Sequence, residues 1–159
     1  MIWRALLVAI AASTAVIAAG ETVPHPPPTN SARSDYVEYC AGCHGVNGSS
    51  APAKVPQLKG RAGYFLCTPR GREYLIRLPN VARARVTDAQ ALADLMNYIV
   101  FDLGQGSAPA DAKRFGATEV EELRKHPLIR ESLVEERKSI VSDLIKKCST
   151  TPNSLYAMF

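Results

Sequence analysis

The chain has 159 residues, of which 47% are hydrophobic and 21% charged, and its formal net charge is +4. That length suits one compact domain, or a small domain with an appendage, and the balance of apolar and charged residues excludes a chain disordered throughout. The charge is only weakly basic and no nucleic-acid-binding motif accompanies it, which argues against a nucleic-acid partner.

The first twenty residues differ from the rest. Arg4 is their only charge, and Ala5 to Gly20 is a run of apolar and small residues. A short basic start, a short apolar stretch and small residues at Ala18, Ala19 and Gly20 are the marks of a secretory signal peptide over residues 1–20, with cleavage near Gly20–Glu21. The alternative is an uncleaved membrane anchor, although the run is short against the roughly 20 apolar residues of a spanning helix. Membrane association is expected only in that case. Export places the mature chain, at +3 without Arg4, in an oxidising compartment such as a periplasm.

Residues 21–33 are rich in proline, with Pro24, Pro26, Pro27 and Pro28, and read as an extended linker. Ser34 is a good N-cap for a short helix over Asp35 to Cys40. Gly45 to Ala53 carries the turn residues of a loop. Helical stretches are expected around Arg61 to Cys67 and from Pro69 to Arg77, the latter with proline at its first position. Lys54, Lys59, Arg61, Arg70, Arg72, Arg77, Arg83 and Arg85 face only Glu73 in their stretch. They read as a solvated face, or as a cationic surface that steers an acidic redox partner.

Thr87 to Leu103 is the clearest helix. Thr87 and Gln90 form a capping-box pattern, Leu92, Leu95, Met96, Ile99 and Leu103 recur at helical spacing, and Gly104 and Gly106 end the run. Residues 105–116 read as a linker. Residues 117–148 read as a helical extension: Thr118 and Glu121 form a second capping-box pattern, and Leu128 to Cys148 is a long charged helix with Ile129, Leu133, Ile140, Leu144 and Cys148 on one side. The extension is expected to pack as a strap on the first domain; a docking helix for a partner or second copy is the alternative. Residues 149–159 form a tail. No strand pattern is found, so the expected fold class is all-α.

The chemistry lies in Cys40–Ala41–Gly42–Cys43–His44. This is the C-x-x-C-H spacing of covalent haem attachment. Two thiols one helical turn apart can each join a vinyl group on the same porphyrin edge, and the next residue sets an imidazole beneath the iron. A zinc site would need four ligands, and no second C-x-x-C or His pair exists. A thioredoxin-like pair would need a strand before it, whereas Cys40 follows a helix.

At these residues the sequence resembles class I cytochromes c. An N-terminal helix ends in C-x-x-C-H followed by Gly45. Pro56–Gln57–Leu58–Lys59–Gly60 matches a Pro-x-Leu-x-Gly element, and Thr87 to Tyr98 matches the late amphipathic helix. The likeness covers residues 34–104. It implies a small helical domain around one covalent haem c, bound through Cys40, Cys43 and the proximal ligand His44. It also implies a hydrogen bond from His44 to the carbonyl of Pro56, with Pro52 as competitor. The implied function is single-electron transfer between a dehydrogenase or reductase and an acceptor, by a carrier rather than an enzyme.

The family places a distal Met on the loop before the final helix, and here Leu78 to Val86 contains no Met, His or Cys. Met96 is the substitute considered for the sixth position, and His126 a remoter one; His25 and Met158 are set aside. With neither ligand the iron would be five-coordinate and open to a small gas or peroxide. A third possibility is a haem-relay subunit of an oxidoreductase complex. Cys67 and Cys148 are left as a disulfide or as two buried thiols.

Overall fold

The computed structural model describes residues 30–50, 55–129 and 132–158. The signal segment, most of the proline-rich linker, His25 and Pro52 therefore lie outside the described residues. The described chain is helical with no strand among those residues, as the sequence pattern requires.

Helix α1 spans Asn30–Tyr39. It starts four residues before the expected Ser34 cap, so residues 30–33 belong to the domain rather than the linker. The reason is burial: Ala32 and Tyr36, one turn apart on one face, are 2% and 0% exposed. Helix α2, Ala41–His44, follows after Cys40. A 3-10 helical turn covers Ala62–Cys67. Helix α3, Pro69–Arg77, is capped by Thr68, whose side chain accepts from the Gly71 N–H. The expected loop before the last helix contains a further short helix, α4, Pro79–Ala82.

Helix α5 spans Ala89–Asn97 and continues as a π-helical segment, Tyr98–Leu103. Its cap is Asp88, which accepts from the Ala91 N–H at 2.8 Å, and not the expected Thr87. Asp competes well for that role because its carboxylate also meets the positive helix end. Leu92, Leu95, Met96 and Ile99 are buried as the periodicity predicted. Tyr36 of α1 meets Tyr98 edge to face, with ring centroids 5.6 Å apart at 61°, and this contact fixes the crossing of α1 on α5.

The expected linker over 105–116 is instead part of the packed structure. Phe115 is buried, and the buried Asn97 side chain grips its main chain from both sides, accepting from its N–H at 2.8 Å and donating to its carbonyl at 3.0 Å. Helix α6, Ala117–Arg124, has Gly116 at its cap position with no side-chain bond, so the expected Thr118 box does not form. Helix α7 spans Leu133–Lys147 and is capped by Ser132. It begins five residues later than expected, because the Leu128 N–H bonds the Arg77 carbonyl of α3; Ile129 is 88% exposed rather than on a buried face. The tail is also ordered: a 3-10 turn over Asn153–Met158 follows α7, and Leu155 is 1% exposed.

The extension and the first domain share one core, in which Val120, Ile140, Val141, Leu144 and Leu155 join Tyr36, Leu92, Leu95 and Val100. Arginines from the basic stretch bind it. Arg70 pairs with Glu136 and Asp143 of α7. Arg72 holds Glu119 through two nitrogens, donates to the carbonyls of Lys113 and Arg114, and stacks on Phe115 at 4.1 Å. Arg77 donates to the His126 carbonyl. These three cations are thus engaged by partners from the C-terminal half. Arg124 of α6 returns the grip, donating to the carbonyls of Ala82, Ala84, Val86 and Thr87 at 3.0–3.2 Å. Cys67 and Cys148 form a disulfide, Cα atoms 6.4 Å apart, across 81 positions of sequence.

Replacing Cys67 and Cys148 together by serine is expected to lower stability by about 4 kcal/mol through the larger entropy of the unfolded chain, read as a lower urea midpoint. Arg124→Ala is expected to cost about 2 kcal/mol by stranding several carbonyls around one site, read in the same assay.

Candidate functional site

The site grows out of the junction between α1 and α2. Cys40 ends one helix and starts the next: its N–H bonds the Tyr36 carbonyl at 2.9 Å, and its own carbonyl accepts from His44 at 3.0 Å. Cys40 and Cys43 therefore stand three residues apart on one turn, on one side of it. Both are free thiols, Cys40 half-buried and Cys43 exposed, while the other two cysteines are bonded to each other. Burial, with smaller contributions from Asp35 and Cys43, pushes the Cys40 thiol up to about 11. A thiol held protonated in this way is unlike the acidic nucleophile of a disulfide oxidoreductase.

Gly45 turns the chain after His44 with φ 72°, a conformation in which a side chain would be strained. Its carbonyl accepts from the Tyr36 hydroxyl at 2.6 Å and from the Gly48 N–H at 3.0 Å. Burial, then Cys40 and Tyr98, raises the Tyr36 hydroxyl to about 12, so it stays a neutral donor over the physiological range. Gly48, also at positive φ, accepts on its carbonyl from Leu58 and Lys59. A Cβ there would come within 3.1 Å of the Lys59 nitrogen. These bonds fold the loop back so that Pro56 lies over His44.

His44 Nδ1 is 3.0 Å from the Pro56 carbonyl oxygen. A carbonyl has no proton to give, so Nδ1 carries the hydrogen and donates it, and in the neutral ring Nε2 keeps its lone pair. Burial lowers the His44 pKa, opposed by the bond to Pro56, which favours that neutral ring. The Ser50 hydroxyl donates to the same Pro56 oxygen at 2.7 Å, and the Ser50 N–H donates to the His44 carbonyl at 2.8 Å. Neither Ser50 nor Tyr36 was singled out from sequence. A serine in a Gly–Ser–Ser–Ala–Pro loop carries no periodic signal, and Tyr36 read only as part of a short helix.

The structure brings together Cys40, Cys43, His44 and Pro56 and leaves the other candidates elsewhere. Met96 is 3% exposed in α5. Tyr98 meets Tyr36 of α1, and Met96, two residues earlier, lies roughly 160° around the helix from it. The His126 residue is exposed, beyond the end of α6, and its carbonyl is the partner of Arg77. Among the described residues no group of three or more His, Cys, Asp or Glu is placed to hold a bare metal ion, and no helix is long and apolar enough to cross a membrane.

Tyrosine 36 has a pH consequence. Its folded pKa is raised above the unfolded value of 10, so its contribution to stability is complete below pH 10 and is lost as the pH rises toward 12. Alkaline unfolding is expected in that window, accompanied by tyrosinate absorbance. Tyr36→Phe is expected to flatten the dependence and to cost about 1 kcal/mol at neutral pH, read from urea unfolding at a series of pH values. Compared with protein-family models, with curated proteins and with solved structures, the chain matches none.

Proposed function

We propose that the chain is an exported, periplasmic c-type cytochrome, with a cytochrome c-like domain that holds one covalent haem c and passes single electrons between protein partners. The observation that carries this reading is the donor set at the start of α2: two free thiols on one helical turn, followed by an imidazole whose Nδ1–H is bound to Pro56 and whose Nε2 is left with its lone pair. The residues fit the group. Cys40 and Cys43 would hold the porphyrin edge by thioether bonds and His44 would be the proximal ligand. The haem supplies reversible one-electron chemistry when bound.

The chain's own residues do the rest. Pro56 fixes the tautomer and plane of the imidazole. Tyr36 anchors the turn after His44 to the α1–α5 crossing. Cys43 is exposed and so is Val46, at 72%, so the attachment edge lies at the surface where a donor or acceptor protein can approach. The cations Lys59, Arg83 and Arg85, which form no salt bridge among the described residues, suit an acidic partner. In this reading the thioether bonds are made once, at maturation, and the protein then acts as an electron carrier.

A second reading, an iron open to a small gas or peroxide, draws on a separate observation. The segment 78–86 contains no Met, His or Cys and is held by Arg124 through its carbonyls, while His126 is at the surface.

Expression in a host that matures such proteins is expected to yield coloured protein with the added mass of one haem, stable to denaturation. Cys40→Ser with Cys43→Ser is expected to abolish that attachment, and a colourless wild type would sink the proposal. Carbon monoxide added to the reduced protein separates the two readings: prompt binding favours the open iron, and its absence the six-coordinate carrier.

A further inference from the structure

Ser50 stands out by its backbone. Its φ is 60°, in the left-handed region that a residue with a Cβ enters at a cost of about 1 kcal/mol. It is also 9% exposed, and a Gly at the same place would avoid the cost. Two bonds hold the residue there, and only the hydroxyl's depends on the serine side chain. Its N–H donates to the His44 carbonyl at 2.8 Å, and its hydroxyl donates to the Pro56 oxygen at 2.7 Å. That oxygen is also the acceptor for His44 Nδ1–H at 3.0 Å.

The geometry points to Ser50 as a positioning residue that sets the electron-donating strength of the His44 imidazole by sharing its hydrogen-bond acceptor. This rests on the haem reading above and deepens it. A carbonyl oxygen has two lone pairs and can take both donors, but each donor draws charge from the oxygen and weakens its pull on the other. With Ser50 in place, Pro56 pulls less on the Nδ1 proton, and the ring carries less imidazolate character. A less basic ring donates less to the iron, which favours the reduced form and raises the reduction potential. The hydroxyl bond at 2.7 Å and the imidazole bond at 3.0 Å are each of ordinary length for their donor type, so the oxygen serves both donors at once.

The test is the midpoint potential of the mature holoprotein, titrated with redox mediators, for wild type, Ser50→Ala and Ser50→Gly. Both variants remove the hydroxyl. Both are expected to shift the potential in the negative direction by about threefold in the reduction equilibrium constant, or ~28 mV at 59 mV per tenfold for one electron. Their stabilities are expected to part: Ser50→Gly relieves the left-handed strain and melts higher than Ser50→Ala, which keeps it. A shared shift in potential with divided melting temperatures supports the proposal. An unchanged or more positive potential in Ser50→Gly overturns it while the haem reading stands, and so does a shift that merely tracks melting temperature. A wild type that carries no haem overturns the haem reading itself, and this inference with it.

Discussion

One carbonyl oxygen organises the site. Pro56 O can only accept, so it decides which nitrogen of His44 holds the proton and which is available as a ligand. For that oxygen to reach the ring, the chain must leave α2, turn at Gly45, and return through the bonds from Leu58 and Lys59 to Gly48. The turn is in turn hung on Tyr36, which is buried against Tyr98. Helix crossing, turn and acceptor form one connected chain of contacts from Tyr98 through Tyr36 and Gly45 to the loop that carries Pro56.

The second constraint is the union of the two halves. The sequence pattern suggests a small domain with a strap packed on it, and the structure has a single core spanning both. Individually, exposed ion pairs such as Arg70 with Glu136 contribute little. Arg72 and Arg124 differ because each guanidinium satisfies several carbonyls that would otherwise need water, and only arginine has the donors to do so. Arg124 acts on the segment 82–87, which lacks any ligating side chain. The C-terminal half therefore restrains that segment by hydrogen bonds from a single side chain.

Several features were legible in the sequence because a local rule governs them. The C-x-x-C-H spacing placed two thiols and an imidazole on one turn, the apolar period of 92, 95, 96 and 99 gave the buried face of α5, and Pro69 marked the start of α3. Helix limits were less legible where tertiary contacts outweigh local caps. Ala32 is buried by α1 and carries that helix past Ser34, and the tie from Leu128 to Arg77 delays α7. Residues 105–116 looked like a linker because neither Asn97 nor Phe115 shows a local pattern that announces their mutual grip. The Ser50 contacts depend on a loop closing over itself, which no spacing encodes.

The disulfide has a consequence for how the molecule is made. Cys43 lies much nearer to Cys67 in sequence than Cys148 does, so loop-closure entropy favours that wrong partner by about 1 kcal/mol in an unfolded chain. A polypeptide emerging from its N-terminus presents both thiols of the motif, and then Cys67, before the correct partner exists. Correct wiring therefore demands either that the motif's sulfurs be spoken for early, or that crosslinking wait until the last helix has docked.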